Sequence, residues 1–119
     1  VLSNVDFEEM IDTSDEWIRS RTGISERRIA EPEVASSDLA YEASIKALED
    51  ANMGPEDIDG IIVGTITPDF IFPSTACVLQ GRLGAHQAFA FAVLAVCSGF
   101  IYSLHVSNGL IHGGTAKSL

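Results

Sequence analysis

The chain has 119 residues, of which 46% are hydrophobic and 20% charged, and its formal net charge is −10. This composition supplies enough apolar material for a core, and the excess of acids disfavours nucleic acid and anionic membranes as partners. No apolar run reaches the roughly 18 residues that span a bilayer. Two cysteines, Cys77 and Cys97, are too few for a disulfide framework and lack metal-ligand spacing. We therefore expect a reducing cytoplasm and no metal site.

The N-terminal third predicts two short helices followed by an extended segment. Asn4 is placed to cap a helix that continues to Ile11, and Ser14 is placed to cap a second helix that carries Trp17. Gly23 breaks this pattern, and residues 24–29 alternate loosely, as in a short strand.

The middle of the chain predicts a helix, a strand and a second helix. The first helix opens at Ser36 or Ser37 and ends near Ala51. Its apolar face at helical spacing comprises Leu39, Ala43, Ala47, Leu48 and Ala51. Residues 60–67 are rich in β-branched side chains, as in a buried parallel strand, and residues 74–83 form a helix closed by Gly84.

The C-terminal third predicts a strand over 89–96 and a helix over 98–111. The alternation of helices and strands is typical of an α/β layered fold with a largely parallel core sheet. Residues 113–119 resemble the lead into another strand, so we expect the chain to be cut there. A half-sheet would leave apolar surface and strand edges uncovered, which predicts poor solubility or self-association.

Cys97 lies at the junction of the last predicted strand and helix. Backbone N–H groups point outward unpaired at such a junction, and the helix dipole favours a thiolate over a thiol. The residue is therefore a candidate nucleophile. The alternative, which the position alone leaves open, is a buried cysteine that acts as a small hydrophobic residue.

Four arginines lie within ten residues, close to the only tryptophan, Trp17. They are Arg19, Arg21, Arg27 and Arg28. Guanidinium groups suit phosphates and an indole stacks on flat rings, so the cluster could hold a nucleotide-like ligand. Alternatively, Trp17 is a core or interface anchor and the arginines pair with acids nearby.

The three histidines are not placed to act as a base for Cys97. His105 is eight residues further along the same predicted helix, about 12 Å away along the axis, whereas a hydrogen bond needs about 3 Å. His112 is further still, and His86 lies at the opposite end of the apolar run. A nucleophilic Cys97 would therefore need a base from outside these residues, or would have none.

Two motifs resemble the β-ketoacyl-acyl-carrier-protein synthases III, which belong to the thiolase-fold condensing enzymes. The first is Asp12–Ile18, followed by Arg21–Ile24 and Glu26–Arg27, and the second is Ala95–Phe100. The run Phe72–Cys77 supports them, and the order and spacing are those of the family. The resemblance implies a thiolase-like layered fold over residues 1–119. It covers part of the N-terminal half, without the family's first strand and second half.

The resemblance also implies roles for individual residues. Cys97 matches the nucleophile that takes an acyl group from acyl-CoA, and its N–H would form half of an oxyanion hole. Trp17 matches the residue that stacks on the adenine of CoA, with Thr13 and Arg21 beside it. Phe72 matches a position that crosses a homodimer interface to shape the partner's acyl pocket.

The implied reaction passes a short acyl group from acyl-CoA to the cysteine. Malonyl-acyl-carrier protein then loses carbon dioxide and attacks the thioester, which starts fatty acid synthesis. No permanently bound cofactor is implied. The family's histidine and asparagine for this step come from the second half of the fold, so the fragment alone is not expected to condense.

The chain differs from the family pattern at one position, and this difference leaves other functions open. The family usually carries an acidic residue five positions before the cysteine, where this chain has Ala92. A non-catalytic relative that only dimerises or binds CoA is therefore a second hypothesis. A third is a sister enzyme, either a chain-initiating polyketide synthase or a 3-hydroxy-3-methylglutaryl-CoA synthase. The Asp12–Ile18 motif argues more against the latter.

Overall fold

The chain forms five α-helices and four short β-strands, and the computed structural model describes all residues, 1–119. These elements fall into two units, Val1–Glu33 and Val34–Leu119. No helix is long and apolar enough to cross a membrane.

The first unit contains two helices and a two-stranded antiparallel sheet. In order, its elements are β1 (Leu2–Ser3), α1 (Asn4–Glu8), α2 (Asp15–Thr22) and β2 (Glu26–Arg27). Leu2 pairs with Arg27 and Ser3 with Glu26. The sequence did not predict β1, and β2 is shorter than the expected 24–29 segment.

Both helices of this unit begin at a serine cap. Ser14 accepts a hydrogen bond from the Trp17 N–H, as predicted, and Gly23 ends α2 with a left-handed φ of 72°. The expectation for α1 was wrong in two respects. Ser3, not Asn4, is its cap, and the helix ends at Glu8 rather than at Ile11.

The second unit is built around a parallel strand pair. Its elements are α3 (Ser36–Ala51), β3 (Gly60–Gly64), α4 (Thr75–Leu83), β4 (Phe89–Val93) and α5 (Gly99–His112). Strands β3 and β4 pair in parallel with Gly60 opposite Phe89 and Gly64 opposite Val93. The expected α/β order and parallel pairing are therefore confirmed.

The core of the second unit lies between this sheet, α3 and α4. Its buried apolar residues are Ile61, Ala76, Leu79, Leu83, Ala85 and Ala88. Helix α3 packs Ala40, Tyr41, Ile45 and Leu48 against them. The expected face of α3 was therefore placed wrongly, because Leu39, its first member, is exposed and only Leu48 is shared.

Both strands of the parallel pair end earlier than predicted. Strand β3 stops at Gly64, after which the Thr65 hydroxyl accepts a hydrogen bond from the Thr67 N–H in a turn. Strand β4 stops at Val93, three residues before the expected end at 96. The apolar run alone could not mark these ends, because exposed loop residues here are as hydrophobic as those of the strands.

Candidate functional site

Cys97 lies in a tight turn between β4 and α5. Residues Val96–Ser98 form a single 3-10 turn that leads directly into α5, and the Ser98 N–H closes it on the Ala95 carbonyl at 2.9 Å. The cysteine is exposed and free. The structure therefore keeps the predicted position before a helix, but the strand does not run up to the cysteine.

Val96 gives this turn its shape. Its φ of 48° is left-handed, a conformation that β-branched residues rarely adopt. Such strain in a residue next to a candidate nucleophile is a common feature of functional sites. Sequence reasoning missed Val96 because left-handed turns are normally signalled by glycine or asparagine.

A close contact of two glycines seats the start of α5 on the end of β3. A Cβ atom on Gly64 would lie 3.0 Å from the carbonyl carbon of Gly99, so a larger residue would push the two backbones apart by a few tenths of an ångström. Further along the helix, the buried Ser103 hydroxyl donates to the Gly99 carbonyl at 2.8 Å. The Cys97 turn is thus supported on its helical side by a tight backbone contact.

Cys97 itself has few partners. Its backbone N–H donates to no acceptor in the chain, as is usual for the first N–H groups of a helix. Of the histidines, His112 bonds through Nδ1 to the Asn108 carbonyl at 2.9 Å, and none hydrogen-bonds to the Cys97 sulfur. A ligand oxygen bound beside Cys97 could therefore accept a hydrogen bond from this unpaired N–H group, next to the side chain of an exposed cysteine.

Ala92 lies inside β4, opposite Val63 of β3. The side chain is half-buried, and a methyl group offers the turn that follows no hydrogen bond. The turn is therefore held by the Ser98 hydrogen bond and the Gly99 contact described above.

The second cysteine has different surroundings. Cys77 is half-buried in the first turn of α4, where its sulfur receives a hydrogen bond from the Ser74 hydroxyl at 3.3 Å. It also lies 3.7 Å from the Ala90 carbonyl. The two thiols thus form a natural pair for comparison, one on an exposed residue and one on a half-buried residue.

Trp17 and Arg21 form a stacked pair on α2. The Arg21 guanidinium lies 4.4 Å from the centre of the Trp17 ring, as the i,i+4 spacing of a helix allows. The indole is 53% exposed, so it is not the core anchor of the alternative interpretation. Thr13, half-buried, lies just before the Ser14 cap of the same helix.

The remaining arginines of the cluster have other partners. Arg19 lies 3.7 Å from Asp15 and Arg28 lies 3.4 Å from Glu26, as the alternative expected. Arg27 donates to the side chain of Asn4 at 2.8 Å. Arg21 is therefore the member of the cluster that accompanies Trp17.

Phe72 lies on a loop, 65–74, that is tied down at its base. The Asp69 carboxylate accepts a hydrogen bond from the Ser37 N–H at 3.0 Å, and the Ser36 hydroxyl donates to the Thr67 carbonyl at 2.6 Å. Phe72 is 89% exposed. The loop thus presents an aromatic side chain on a fixed base. No group of three His, Cys, Asp or Glu side chains is placed to hold a metal ion.

Comparisons with solved structures show the fold class to which the chain belongs. No protein-family model matches the chain. The structure of 3-oxoacyl-[acyl-carrier-protein] synthase III from Aquifex aeolicus superposes with a TM-score of 0.83 at 50% identity, over 97% of this chain and 37% of that one. A priming β-ketosynthase from the R1128 polyketide pathway gives 0.83 at 36% identity, over 97% and 34%. The fold is therefore part of the thiolase-like fold of condensing enzymes.

Comparison of sequences identifies a narrower group within the condensing enzymes. The chain is 57% identical, over its full length, to β-ketoacyl-[acyl-carrier-protein] synthase III of Caldanaerobacter subterraneus subsp. tengcongensis. It is thus homologous to the β-ketoacyl-acyl-carrier-protein synthases III, as its two motifs indicated. The chain spans 36% of the length of that relative.

Proposed function

We propose that Cys97 accepts an acyl group from acyl-CoA in the first step of a β-ketoacyl-acyl-carrier-protein synthase III reaction. The observation that carries this proposal is an exposed cysteine whose own N–H group is unpaired, in the turn that leads directly into α5. The 57% identity to a synthase III supports it.

The chemistry follows from that placement. The Cys97 thiolate attacks the thioester carbonyl, so a new S–C bond forms and the carbonyl oxygen becomes an oxyanion. The Cys97 N–H would hydrogen-bond that oxyanion, and the positive end of α5 would stabilise its charge. Collapse breaks the bond to the CoA sulfur, and CoA leaves as a thiolate that takes up a proton.

The Trp17–Arg21 pair would bind the nucleotide end of the CoA. One ring face of Trp17 is occupied by Arg21, and the exposed indole offers its other surface to a flat base such as adenine. The positive charge of Arg21 suits a phosphate close by. Thr13, just before the helix, is the third proposed CoA contact.

The second step would use malonyl-acyl-carrier protein. Loss of carbon dioxide leaves a carbanion that attacks the Cys97 thioester, which gives a 3-oxoacyl-carrier protein and frees the cysteine. The chain's own histidines do not hydrogen-bond to Cys97, so we assign decarboxylation to groups outside residues 1–119. This reaction would start fatty acid synthesis in the cytoplasm, without a resident cofactor.

We further propose that residues 1–119 belong to the N-terminal half of the fold and that Phe72 contributes to a homodimer interface. An aromatic side chain that is 89% exposed on an anchored loop is suited to such a contact. Phe72→Asp should lower the dimer fraction in sedimentation experiments, and Phe70→Asp on the same loop is the matched comparison. An unchanged sedimentation profile for Phe72→Asp would contradict this assignment.

The acyl-transfer proposal is tested by release of CoA thiol from acetyl-CoA. We expect release of up to one equivalent per chain, abolished in Cys97→Ala and retained in Cys77→Ala. Release that is equal in the two variants would contradict the assignment. No release from the unsubstituted chain would favour the non-catalytic alternative.

A polyketide-initiating enzyme is the second candidate. The R1128 priming ketosynthase and the Aquifex synthase III have the same TM-score of 0.83, so the fold fits both candidates equally. The lower identity, 36% against 50%, favours the fatty acid enzyme. With the second half of the fold present, faster condensation with a polyketide carrier protein than with a fatty acid carrier protein would favour the polyketide-initiating enzyme instead.

A further inference from the structure

Asn4 is the one buried residue of the first unit, with 1% of its surface exposed. A polar side chain at the centre of a unit must have its hydrogen bonds satisfied, because an unpaired buried amide is costly. The amide of Asn4 makes three hydrogen bonds, all at 2.8 Å.

The amide nitrogen of Asn4 bridges the two ends of α2. It donates to the Asp15 carboxylate, on the first residue of the helix, and to the Ile24 carbonyl, two residues beyond its last. The Asn4 backbone N–H adds a bond to the Ser25 carbonyl at 3.1 Å. One residue thus holds both flanks of the helix that carries Trp17 and Arg21.

The oxygen of the same amide is held from the other side. It accepts a hydrogen bond from Arg27, whose guanidinium lies 4.4 Å from the centre of the Phe7 ring. With two acceptors on its nitrogen side and a donor on its oxygen side, the amide has one orientation that satisfies all three partners. The network therefore has a defined geometry rather than several equivalent ones.

We propose that Asn4 is a positioning residue that fixes α2, and through it the Trp17–Arg21 stack, in the orientation that receives a flat ligand. It acts through Asp15, Ile24 and Arg27 and does not touch the ligand. The consequence for nucleotide binding rests on the proposed role of Trp17, but the effect on the orientation of Trp17 does not.

Trp17 makes the proposal measurable, because it is the only tryptophan in the chain. Asn4→Asp keeps the size of the side chain but places a second carboxylate against Asp15 and an oxygen against the Ile24 carbonyl. We expect at least a twofold change in acrylamide quenching of native-state Trp17 fluorescence. With adenosine 3′,5′-bisphosphate as the probe, we expect about tenfold weaker binding, because the apparent affinity falls with the fraction of chains whose Trp17–Arg21 stack is in the receiving orientation.

The controls separate positioning from stability. Asn108→Asp adds the same charge to the exposed face of α5 and should leave quenching unchanged. The exchange Asn4→Asp with Asp15→Asn restores a donor and acceptor pair at constant net charge, but not the bond to the Ile24 carbonyl, and should therefore return part of the native quenching. A purely stabilising role would lower the urea midpoint of Asn4→Asp without changing the native-state quenching, and that result would overturn the proposal.

A second pair of variants tests the same proposal if Asn4→Asp does not fold. Arg27→Gln removes the partner of the Asn4 oxygen, whereas Arg28→Gln changes its exposed neighbour. A larger change in quenching for Arg27→Gln supports the proposal, and equal effects overturn it. If the unsubstituted chain does not bind the bisphosphate, the proposed CoA role of Trp17 fails, while the quenching comparison still decides the role of Asn4.

Discussion

Val96 and Cys97 show how one strained residue can set the direction of its neighbour. The left-handed φ of Val96 turns the chain away from β4, so Cys97 lies in the turn before α5 rather than at the end of a strand. Val96 is 67% exposed, so little burial offsets the strain. We infer that the strain at Val96 is retained because its left-handed φ shapes the turn that contains Cys97.

Val96→Gly should relieve this strain. A left-handed conformation costs a non-glycine residue about 1–2 kcal/mol, and the added freedom of glycine in the unfolded chain costs about 0.5–1 kcal/mol. We therefore expect a free energy of unfolding that is unchanged or up to about 1.5 kcal/mol higher, together with slower acyl transfer to Cys97 from a looser turn. Urea unfolding and the rate of CoA release measure the two effects.

Val106→Gly is the comparison for this substitution. Val106 lies within α5, where replacing valine by glycine should destabilise the helix by a few tenths of a kcal/mol, roughly 0.3–0.5, from helix propensity alone. If Val96→Gly lowered stability as much as Val106→Gly, the strain assigned to Val96 would be wrong.

At the scale of elements, Gly60 controls how β3 meets β4. A Cβ atom at Gly60 would overlap the ring of Phe89, its partner in the strand register, and would come within 2.8 Å of a Leu119 methyl group. Forcing extra volume into a packed site typically costs about 1–3 kcal/mol. Gly60→Ala should destabilise the second unit by this amount in urea unfolding.

Gly81→Ala is the matched substitution in α4. A Cβ atom there meets nothing within 4 Å, so we expect a gain of about 0.5–1 kcal/mol from helix propensity. Phe89→Leu in the Gly60→Ala background should recover part of the lost stability. Equal stabilities for the two alanine variants would contradict the described packing.

Asp59 ties the C-terminal segment to the start of β3. Its carboxylate accepts hydrogen bonds from the N–H groups of Lys117 at 2.6 Å and Ser118 at 3.2 Å. The Lys117 bond, and then the Ser118 bond, hold the pKa of Asp59 below its ordinary value of 3.8. The contribution of this contact is present above pH 3.8 and is lost as the pH falls through the lower pKa of the folded state.

The Lys117 and Ser118 amide proton resonances should therefore shift together in an NMR titration, with a midpoint below pH 3.8. Asp59→Asn should remove this transition. Asp50→Asn, at an exposed position of α3, should retain it. A transition that persists in Asp59→Asn would show that another group holds the segment.

At the scale of the whole molecule, the sequence predicted the order of elements and most helix ends. Ser14, Ser74 and Gly84 mark helix limits by local hydrogen bonding and backbone preference, which depend on neighbours in the chain. The parallel pairing of β3 and β4 followed from the alternation of elements.

The features that sequence could not predict depend on contacts between distant residues. The antiparallel pair of Leu2 with Arg27 and the burial of Asn4 arise from partners that are between 11 and 25 residues apart. Likewise, the face of α3 that is buried depends on how the helix packs against α4, not on its own periodicity. For the candidate site, the motifs identified Trp17 and Cys97, but the strained Val96 carries no signal of its own.

The central claim, that Cys97 is the acyl acceptor, is tested most directly by locating the acyl group. After incubation with acetyl-CoA and digestion at acid pH, mass spectrometry should find the acetyl group on the peptide that contains Cys97. The peptide that contains the half-buried Cys77 should remain unmodified. Acetylation of Cys77 to the same extent, or of other residues in a Cys97→Ala chain at an undiminished level, would contradict the account.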